Sequence, residues 1–519
     1  MSGHHEGSLA QSGSFTFQRA PMTDNATGAE MDAIDMQQAP IDKIVPSLCP
    51  VCLKVVQAHL FQEGEKVFME KRCEAHGNFC EIYWSDATLY RKFNNYFYNG
   101  NGIVNSTSER LGCPLDCGLC KNHLTSTLLA NIDLTSRCNM ACPICFADSG
   151  DSHYEPDLDQ IRTMLQNLRA EKPVPCPAIQ FSGGEPTLRD DLPQIVAMAR
   201  QMGFAQIQIA TNGIRLSSDL ALCEALERSG LNTIYLQFDG VTPDPYKAMR
   251  GGNYLPAKLK ALENFSKARQ TSVVLVPTLV KGVNDHQVGD IVRFASTNSK
   301  VVKGINFQPV SFAGRIDSNE RAKRRITIPD FLSLLEEQTD NQITKEDFYP
   351  VPFVGPISQL IAAQLGSPQP IFSVHPCCGA ATYVYKLNGE LIPINRFLDV
   401  EGLLESIRKE VGNFDESRLG KLKLKGRILK DLSRFVDSDR APKDLNVTRI
   451  LLGVFRSGSK EPMREFHDNS LFVGAMHFQD AYNMDLDRLQ RCGIHYALPD
   501  GRIIPFCAYN TIHRQTAEK

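Results

Sequence analysis

The chain has 519 residues, a formal net charge of −3 at pH 7 and 42% hydrophobic residues, values typical of a soluble globular protein of about three domains. The near-neutral charge provides no general attraction to nucleic acid, so no nucleic-acid partner is expected. No apolar run approaches the roughly 18 to 20 residues of a membrane span, and the N-terminus lacks the basic-then-apolar layout of a secretory signal.

The first segment of the chain, residues 1–45, is rich in Gly, Ser, Ala, Gln and Asp and has no apolar periodicity. This composition predicts a disordered N-terminal tail. After it, many of the 16 cysteines occur in short-spaced groups. Such groups favour metal ligation in a reducing compartment over a secreted disulfide framework, so we expect a cytoplasmic protein.

Residues 46–125 are predicted to form a Cys-rich metal-binding region. Two cysteine knuckles lie between short strand-like segments, an arrangement typical of the mononuclear sites in zinc ribbons and rubredoxins. Spacing does not distinguish iron from zinc. The expected ligands are Cys49, Cys52 and Cys73, with His76 or Cys80 as the fourth.

A C-x3-C-x2-C loop ends this region, and the same spacing occurs again a few residues later. The first loop contains Cys113, Cys117 and Cys120. Two such loops in tandem predict two clusters, or one cluster and one closed metal site. His123, which follows the first loop, is expected to be a surface histidine rather than a ligand.

The second loop contains Cys138, Cys142 and Cys145 and follows an apolar run, Leu128–Leu134. Three thiolates in one tight loop can hold a four-iron cluster and leave one iron without a protein ligand. An external molecule can bind and react at that iron. The alternative for an isolated motif of this kind is a zinc knuckle.

Residues 126–315 alternate between strand-like and helical patterns, which predicts a partial TIM-type (β/α)6 barrel of α/β class. The predicted strands are Leu128–Leu134, Ala178–Phe181, Ala205–Ala210, Thr233–Phe238, Ser272–Leu279 and Gly304–Phe307. The predicted helices are Leu158–Leu168, Leu192–Met202, Leu220–Arg228, Ala257–Ala268 and Val288–Ala295.

Polar and glycine motifs lie at the C-terminal ends of these strands, where barrel enzymes place their active residues. Gly183 and Gly184 follow the second strand and allow close backbone approach to a ligand. The carboxylate of Glu185 can accept hydrogen bonds from an ammonium group. The other strand-end candidates are Asn212 and Gln237, for ribose or carboxylate oxygens or for local turn hydrogen bonds, and Asp239, for a polar contact near the substrate.

Residues 316–519 lose the alternating pattern and are predicted to form a C-terminal α+β domain. Cys378, Cys492 and Cys507 supply ligands for a further cluster, and Cys377 is either a fourth ligand or not involved. Buried free cysteines are the alternative. The segment Arg418–Val436 combines basic and leucine-rich positions, which suits either a peripheral membrane contact or an ordinary surface helix.

The motifs together resemble those of the radical S-adenosylmethionine (SAM) enzymes over residues 126–315. From Cys49 to Asn510 the chain is similar to a narrower group, the tetraether lipid synthases and the class D radical SAM methylases. The C-terminal part of this resemblance comprises Met476–Asn483, Arg491-Cys492 and Pro505–Asn510.

This resemblance implies a [4Fe-4S] cluster on Cys138, Cys142 and Cys145, with SAM bound by the strand-end residues. It also implies auxiliary [4Fe-4S] clusters, a mononuclear iron or zinc site and a reducing partner such as ferredoxin or flavodoxin. Three functions are compared: carbon–carbon bond formation on lipid chains as the first hypothesis, methylation of a pterin or other small acceptor as the alternative, and a non-catalytic metal-binding scaffold as the least favoured.

Overall fold

The structure, a computed structural model of the chain, describes residues 40–104, 110–150, 154–270, 272–387, 389–413, 415, 417–443, 445, 447, 449 and 469–514. Most of the predicted tail lies outside these residues. Strand β1 already begins at Asp42, because this segment pairs with the following strand. In the described part of the chain, no helix is long and apolar enough to cross a membrane.

The N-terminal region is a four-stranded antiparallel sheet followed by one helix. Its elements are β1 (Asp42–Leu48), β2 (Val55–Glu63), β3 (Lys66–Cys73), β4 (Gly77–Trp84) and α1 (Ala87–Asn94). On β3 the buried and exposed positions alternate, as expected when one face of a sheet is covered. Trp84 and Phe93 are almost completely buried against that face.

Six parallel strands form the centre of the large sheet, in chain order. They are β5 (Leu129–Thr135), β6 (Ala178–Gly183), β7 (Gln206–Thr211), β8 (Thr233–Gln237), β9 (Val273–Val276) and β11 (Val302–Pro309), and the short β10 (Thr278–Leu279) pairs with β11. All six correspond to predicted strands. The predicted α/β architecture of six parallel strands connected by helices is therefore confirmed.

Helices connect these strands and bury one apolar side. They are α2 (Leu158–Ala170), α3 (Leu192–Gln201), α4 (Ile214–Ser218), α5 (Leu220–Arg228), α6 (Pro243–Arg250), α7 (Leu255–Lys267) and α8 (Val288–Thr297). In α2 the buried residues are Ile161, Met164, Leu165 and Leu168, the spacing of an amphipathic helix. A capping box at Asp157 fixes its start.

The C-terminal segment continues the large sheet at both edges. Its strands are β12 (Tyr349–Pro350), β13 (Gly379–Leu387), β14 (Glu390–Pro393), β15 (Ser470–Met476), β16 (Ile494–Ala497) and β17 (Ile503–Pro505). β15 pairs with β11, and β16 pairs with β5, both in parallel. The segment predicted as a separate α+β domain thus brings its own strand ends to the mouth of the barrel.

The remaining helices are mostly C-terminal, and one of them is the basic segment. They are α9 (Arg321–Arg324), α10 (Ile328–Gln338), α11 (Gly355–Leu365), α12 (Val400–Gly412), α13 (Arg418–Asp431), α14 (Leu486–Gln490), α15 (Phe506–Ala508) and a π-helix, Tyr509–His513. In and just after α13, Leu424, Ile428 and Leu432 belong to a second hydrophobic core. These side chains are packed inside the protein, as in the ordinary surface helix that was the alternative to a membrane contact, whereas Leu422 on the same helix is exposed.

Buried charges join the N-terminal sheet to the barrel. Arg325 donates to both carboxylate oxygens of Asp480 at 3.0 and 3.1 Å, and its Nε lies 3.3 Å from Glu81 on β4. All three side chains are nearly inaccessible. Burial alone would raise the pKa of Asp480, but the charge of Arg325 holds it below its usual value. The Arg325 guanidinium therefore neutralises Asp480 and contributes, together with Arg321 at 2.6 Å, to the pairing of Glu81.

We expect the variant Arg325→Met to lower the free energy of unfolding by about 3 to 5 kcal/mol, because it leaves the buried carboxylate of Asp480 without its paired cation. The matched control is Arg293→Met, since Arg293 forms a half-exposed pair with Asp290 at 2.7 Å and should contribute less than about 1 kcal/mol. Anaerobic urea unfolding followed by circular dichroism measures both. Equal losses in the two variants would contradict the expectation.

Candidate active site

The second cysteine loop lies at the mouth of the barrel, directly after β5. Cys138, Cys142 and Cys145 are all partly buried free thiols, and all three line one cavity of about 330 Å³. This volume is in the range of small-molecule sites. A set of three thiols from one loop, facing a cavity, fits a four-iron cluster that keeps one iron open to a ligand.

Backbone contacts hold this loop in place. Cys145 and Arg315 exchange two backbone hydrogen bonds of 2.9 Å, and Arg250 donates through Nη1 to the carbonyl oxygen of Ile144 at 2.7 Å. Gly314 has a φ of 69°, and a Cβ there would lie 2.5 Å from the carbonyl oxygen of Cys145. Only glycine therefore allows this close approach of the two chain segments.

The three thiols have different electrostatic surroundings. Burial raises the pKa of Cys138 to about 11 and raises that of Cys142. Burial also opposes ionisation of Cys145, but hydrogen bonds with Ser149 and the charge of Arg315 hold its pKa below the usual value. Metal binding needs thiolates. The positive charges of Arg250 near Cys142 and of Arg315 near Cys145 favour the thiolate form of these two residues.

The two glycines after β6 meet the protein's own backbone. A Cβ on Gly183 would lie 2.2 Å from the carbonyl oxygen of Thr135, and one on Gly184 would lie 2.2 Å from that of Arg137. Both glycines also line the cavity. The two glycines thus allow the end of β6 to pack closely against Thr135 and Arg137, the segment that leads into the cysteine loop. This packing holds the segment against β6.

Glu185 is completely buried and is absent from the cavity lining. Its carboxylate accepts hydrogen bonds from the backbone N–H of Thr187 at 3.1 Å and of Asn212 at 2.7 Å. It also accepts from the hydroxyls of Thr187 and Thr211 at 2.5 and 2.7 Å. These contacts join the ends of β6 and β7. Binding of an ammonium group by Glu185 stays a prediction.

Asn212 and Gln237 both line the cavity. Asn212 donates to the side chain of Asn139 in the cysteine loop at 2.7 Å. Gln237 donates to Asp239 and accepts from Nζ of Lys258 at 2.6 Å. Their roles toward SAM stay predictions, but each already connects a strand end to neighbouring polar groups.

Asp239 does not take part in the cavity surface as the sequence suggested. It is fully buried and forms a bidentate pair with Arg250 at 2.8 and 2.9 Å. Burial alone would lower the pKa of Arg250, but the charge of Asp239 raises it. Arg250, rather than Asp239, lines the cavity. The sequence carries no motif that identifies Arg250, since the pair depends on the fold.

Sequence reasoning also missed Lys258. This buried residue of α7 donates to Gln237 and to the carbonyl oxygen of Asn212, and burial lowers its pKa to about 8. Its position on an outer helix gave no sign of an inward ammonium group. Its hydrogen bonds hold Asn212 and Gln237 in position on the side away from the cavity, since Lys258 itself does not line the cavity.

The N-terminal metal site assembles as a compact group. The potential ligand atoms of Cys49, Cys52, Cys73 and His76 all lie within 4.8 Å of one another. Nδ1 of His76 is 3.5 Å from the sulfur of Cys49 and 3.4 Å from that of Cys73. Cys80 is exposed on β4 and is outside this group. His76 is thus the candidate fourth ligand.

The electrostatics of this site favour a bound cation. Burial would raise the pKa of Cys49, but hydrogen bonds from the backbone N–H groups of Cys52 and Val51 lower it to about 6. A thiol that ionises near neutral pH is ready to bind a metal. Three sulfurs and one imidazole nitrogen that lie this close together can bind one zinc or iron ion.

The predicted auxiliary cysteines come from both ends of the chain. Cys113, Cys117 and Cys492 pack against the apolar cluster that contains Cys507. Burial raises the pKa of Cys507, and the nearby thiols of Cys492 and Cys378 contribute to this increase. Their assignment to clusters, together with that of Cys120, stays a prediction.

Cys377 and His123 are both buried. Cys377 is completely buried in the main hydrophobic core, where the side chain of Asn94 donates to its sulfur at 3.9 Å. His123 was expected at the surface, which is wrong: it is 5% exposed. Its Nε2 lies 2.8 Å from the carbonyl oxygen of Cys492 and 3.0 Å from Nε2 of His495, because the C-terminal strand β16 covers it.

Comparison with known proteins identifies the family. The radical SAM superfamily profile matches residues 132–295, and that of the HMPTM N-terminal zinc ribbon domain matches residues 42–85. A protein of Methanocaldococcus jannaschii named 7,8-dihydro-6-hydroxymethylpterin dimethyltransferase is 50% identical over 92% of this chain and 95% of its own length. The chain belongs to this family of radical SAM enzymes.

Other similar proteins match a smaller part of the chain. A probable GTP 3′,8-cyclase of Methanothermobacter marburgensis is 30% identical over 35% of this chain and 58% of its own. The structure of Streptococcus suis SuiB bound to precursor peptide SuiA matches 60% of this chain and 71% of its own, at 14% identity and a TM-score of 0.35. Membership of the radical SAM superfamily implies a [4Fe-4S] cluster and SAM, and the scaffold hypothesis is not retained.

We expect replacement of Cys138, Cys142 and Cys145 together by Ala to abolish reductive SAM cleavage, because no other described thiol lines this cavity. The control is Cys223→Ala, which changes a buried thiol outside the cavity and should cleave SAM normally. Release of 5′-deoxyadenosine, measured by mass spectrometry after anaerobic reconstitution, reports the outcome. Cleavage at wild-type rates by the triple variant would contradict the assignment.

For the N-terminal site we expect His76→Ala to lose one tightly bound metal ion per chain, whereas Cys80→Ser keeps it. The physical reason is that His76 completes the four-ligand group and Cys80 lies outside it. Inductively coupled plasma mass spectrometry of the purified proteins measures zinc and iron. Loss of the ion in the Cys80 variant with retention in the His76 variant would reverse the ligand assignment.

Proposed function

We propose that this protein is a radical SAM methyltransferase that acts on a pterin. The observation that carries the proposal is the 50% identity, over nearly the full length of both chains, to the relative named as a dihydropterin dimethyltransferase. Identity of this extent includes the zinc ribbon, the barrel and the C-terminal strands, rather than the barrel alone.

In this proposal different residues at the barrel mouth bind the cluster and SAM. Cys138, Cys142 and Cys145 would hold the cluster, and Gly184 and Asn212 would contact SAM beside it. When bound, the cluster and SAM would supply a 5′-deoxyadenosyl radical able to abstract hydrogen from a C–H bond, and the transferred carbon would come from a one-carbon donor present in the reaction. The protein's part is to hold SAM and the acceptor in one enclosed volume and to exclude water from it.

The shape of the cavity supports a compact acceptor. It extends from the cysteine loop into the barrel, where polar side chains of the strands line it: Asn131, Gln180, Tyr235, Asn306 and Gln308. Barrel interiors are usually filled by Val, Ile and Leu. Hydrogen-bonding groups at this depth suit a heterocycle better than a hydrocarbon.

A lipid chain, joined by carbon–carbon bond formation, is the second candidate. One wall of the cavity favours it: Phe478 stacks on Phe506 at a centroid distance of 4.1 Å, and Phe506 stacks on Phe146 at 5.4 Å. All three rings line the cavity. The same rings can equally contact a flat heterocycle, so this observation is weaker than the full-length similarity.

The auxiliary centres and the electron donor complete the proposal. Cys113, Cys117 and Cys120 on one side, and Cys378, Cys492 and Cys507 on the other, are proposed to hold auxiliary [4Fe-4S] clusters. The electron for SAM cleavage is proposed to come from a small reducing protein such as ferredoxin or flavodoxin.

Anaerobic incubation with SAM and dithionite tests the substrate. One reaction contains 7,8-dihydro-6-hydroxymethylpterin, and the other contains vesicles of a lipid with deuterated chains. We expect pterin product heavier by one or two methyl groups, and no deuterium in 5′-deoxyadenosine from the lipid. Deuterium transfer from the lipid with the pterin unchanged would overturn the proposal in favour of the second candidate.

A further inference from the structure

Three amide side chains form a hydrogen-bonded row inside the barrel. Gln208 of β7 donates through Nε2 to Oε1 of Gln180 on β6 at 2.8 Å. Gln180 donates in turn through Nε2 to Oδ1 of Asn131 on β5 at 2.7 Å. The row therefore runs across three neighbouring strands and ends at Asn131.

The parallel register of the strands produces this row. Asn131 pairs with Gln180, and Gln180 pairs with Gln208, in the ladders of β5, β6 and β7. Residues in register on neighbouring strands point to the same face. All three side chains consequently lie at one level of the barrel interior, where an apolar layer would be usual.

The last amide of the row has a donor without a partner. Asn131 is 1% exposed, and no acceptor in the described part of the chain lies within hydrogen-bond distance of its Nδ2. Asn131 and Gln180 both line the cavity that also contains the cysteine loop. An unpaired buried donor destabilises a protein, so a ligand that accepts a hydrogen bond from it removes this cost on binding.

We propose that Asn131 is a specificity-determining residue whose Nδ2 donates a hydrogen bond to a ring carbonyl oxygen of the acceptor substrate. The substrate class is then a heteroaromatic ring that contains a lactam, which includes pterins. This inference rests on the proposed function and adds to it the residue that recognises the ring. Gln180 and Gln208 are positioning residues, since they orient the Asn131 amide through its oxygen.

The row also selects against the second candidate. A hydrocarbon chain has no acceptor, so it would cover the Asn131 donor and leave it unpaired. Sites built to hydrogen-bond a substrate reject analogues that lack the partner group much more strongly than apolar pockets reject an extra methylene. The polar floor of this cavity thus favours a carbonyl-bearing ring on physical grounds.

The experiment exchanges donor and acceptor on both sides of the contact. Anaerobic titration of the SAM-loaded holoenzyme by calorimetry uses two probes, 7,8-dihydro-6-hydroxymethylpterin and its 2,4-diamino analogue, in which an amino group replaces the ring carbonyl. Asn131→Asp retains the oxygen that accepts from Gln180 and replaces the free donor by an acceptor. Asn319→Asp makes the same change at an exposed position outside the cavity and serves as the control.

We expect the wild type and Asn319→Asp to bind the pterin about 10- to 100-fold more tightly than the diamino analogue, the range that corresponds to one buried hydrogen bond. Asn131→Asp should reverse this preference. The comparison of the two probes on the wild type requires no variant, so it tests the inference even if Asn131→Asp does not fold.

Two failures can be told apart. If the wild type methylates the pterin but binds both probes equally, or if Asn131→Asp keeps the wild-type preference, the assignment to Asn131 is overturned and the proposed function stands. If the wild type neither binds nor alters the pterin, the proposed function is overturned and this inference with it.

Discussion

The buried pair of Asp239 and Arg250 is the interaction on which the geometry of the site depends. One guanidinium binds the carboxylate at the end of β8, the hydroxyl of Thr278 on β10 and the carbonyl oxygen of Ile144 in the cysteine loop. A buried charge must be paired and fully hydrogen-bonded to be stable. This requirement fixes the loop to the strands and leaves it little freedom to move relative to the cavity.

A second set of contacts fixes the loop from the opposite side. Gly183 and Gly184 allow the end of β6 to lie against the backbone that precedes the thiols. Glu185 then uses its carboxylate to join β6 to β7 through Thr211 and Asn212. The glycine–glycine–glutamate motif is thus part of the support of the site as well as a candidate for SAM contact, and both roles need the same close packing.

The C-terminal segment completes the cavity rather than forming a separate unit. Because β15 and β16 extend the barrel sheet in parallel, their C-terminal ends reach the same mouth as the cysteine loop. This placement supplies the aromatic wall of Phe478 and Phe506. It also brings Cys492 and Cys507 to the apolar cluster against which Cys113 and Cys117 pack.

The sequence by itself determined the six strands, five of the seven helices between them and the three thiols of the candidate site, but it missed α4 and α6. These depend on local patterns: alternation of apolar runs, helical periodicity and cysteine spacing within a few residues. The two N-terminal cysteine knuckles were equally local, although only the fold places His76, and not Cys80, beside their sulfurs. The tertiary structure alone decided the pairing of Asp239 with Arg250, the burial of His123 and the amide row that ends at Asn131. Each of these joins residues on different strands or helices, and such contacts depend on register and burial, which no short motif encodes.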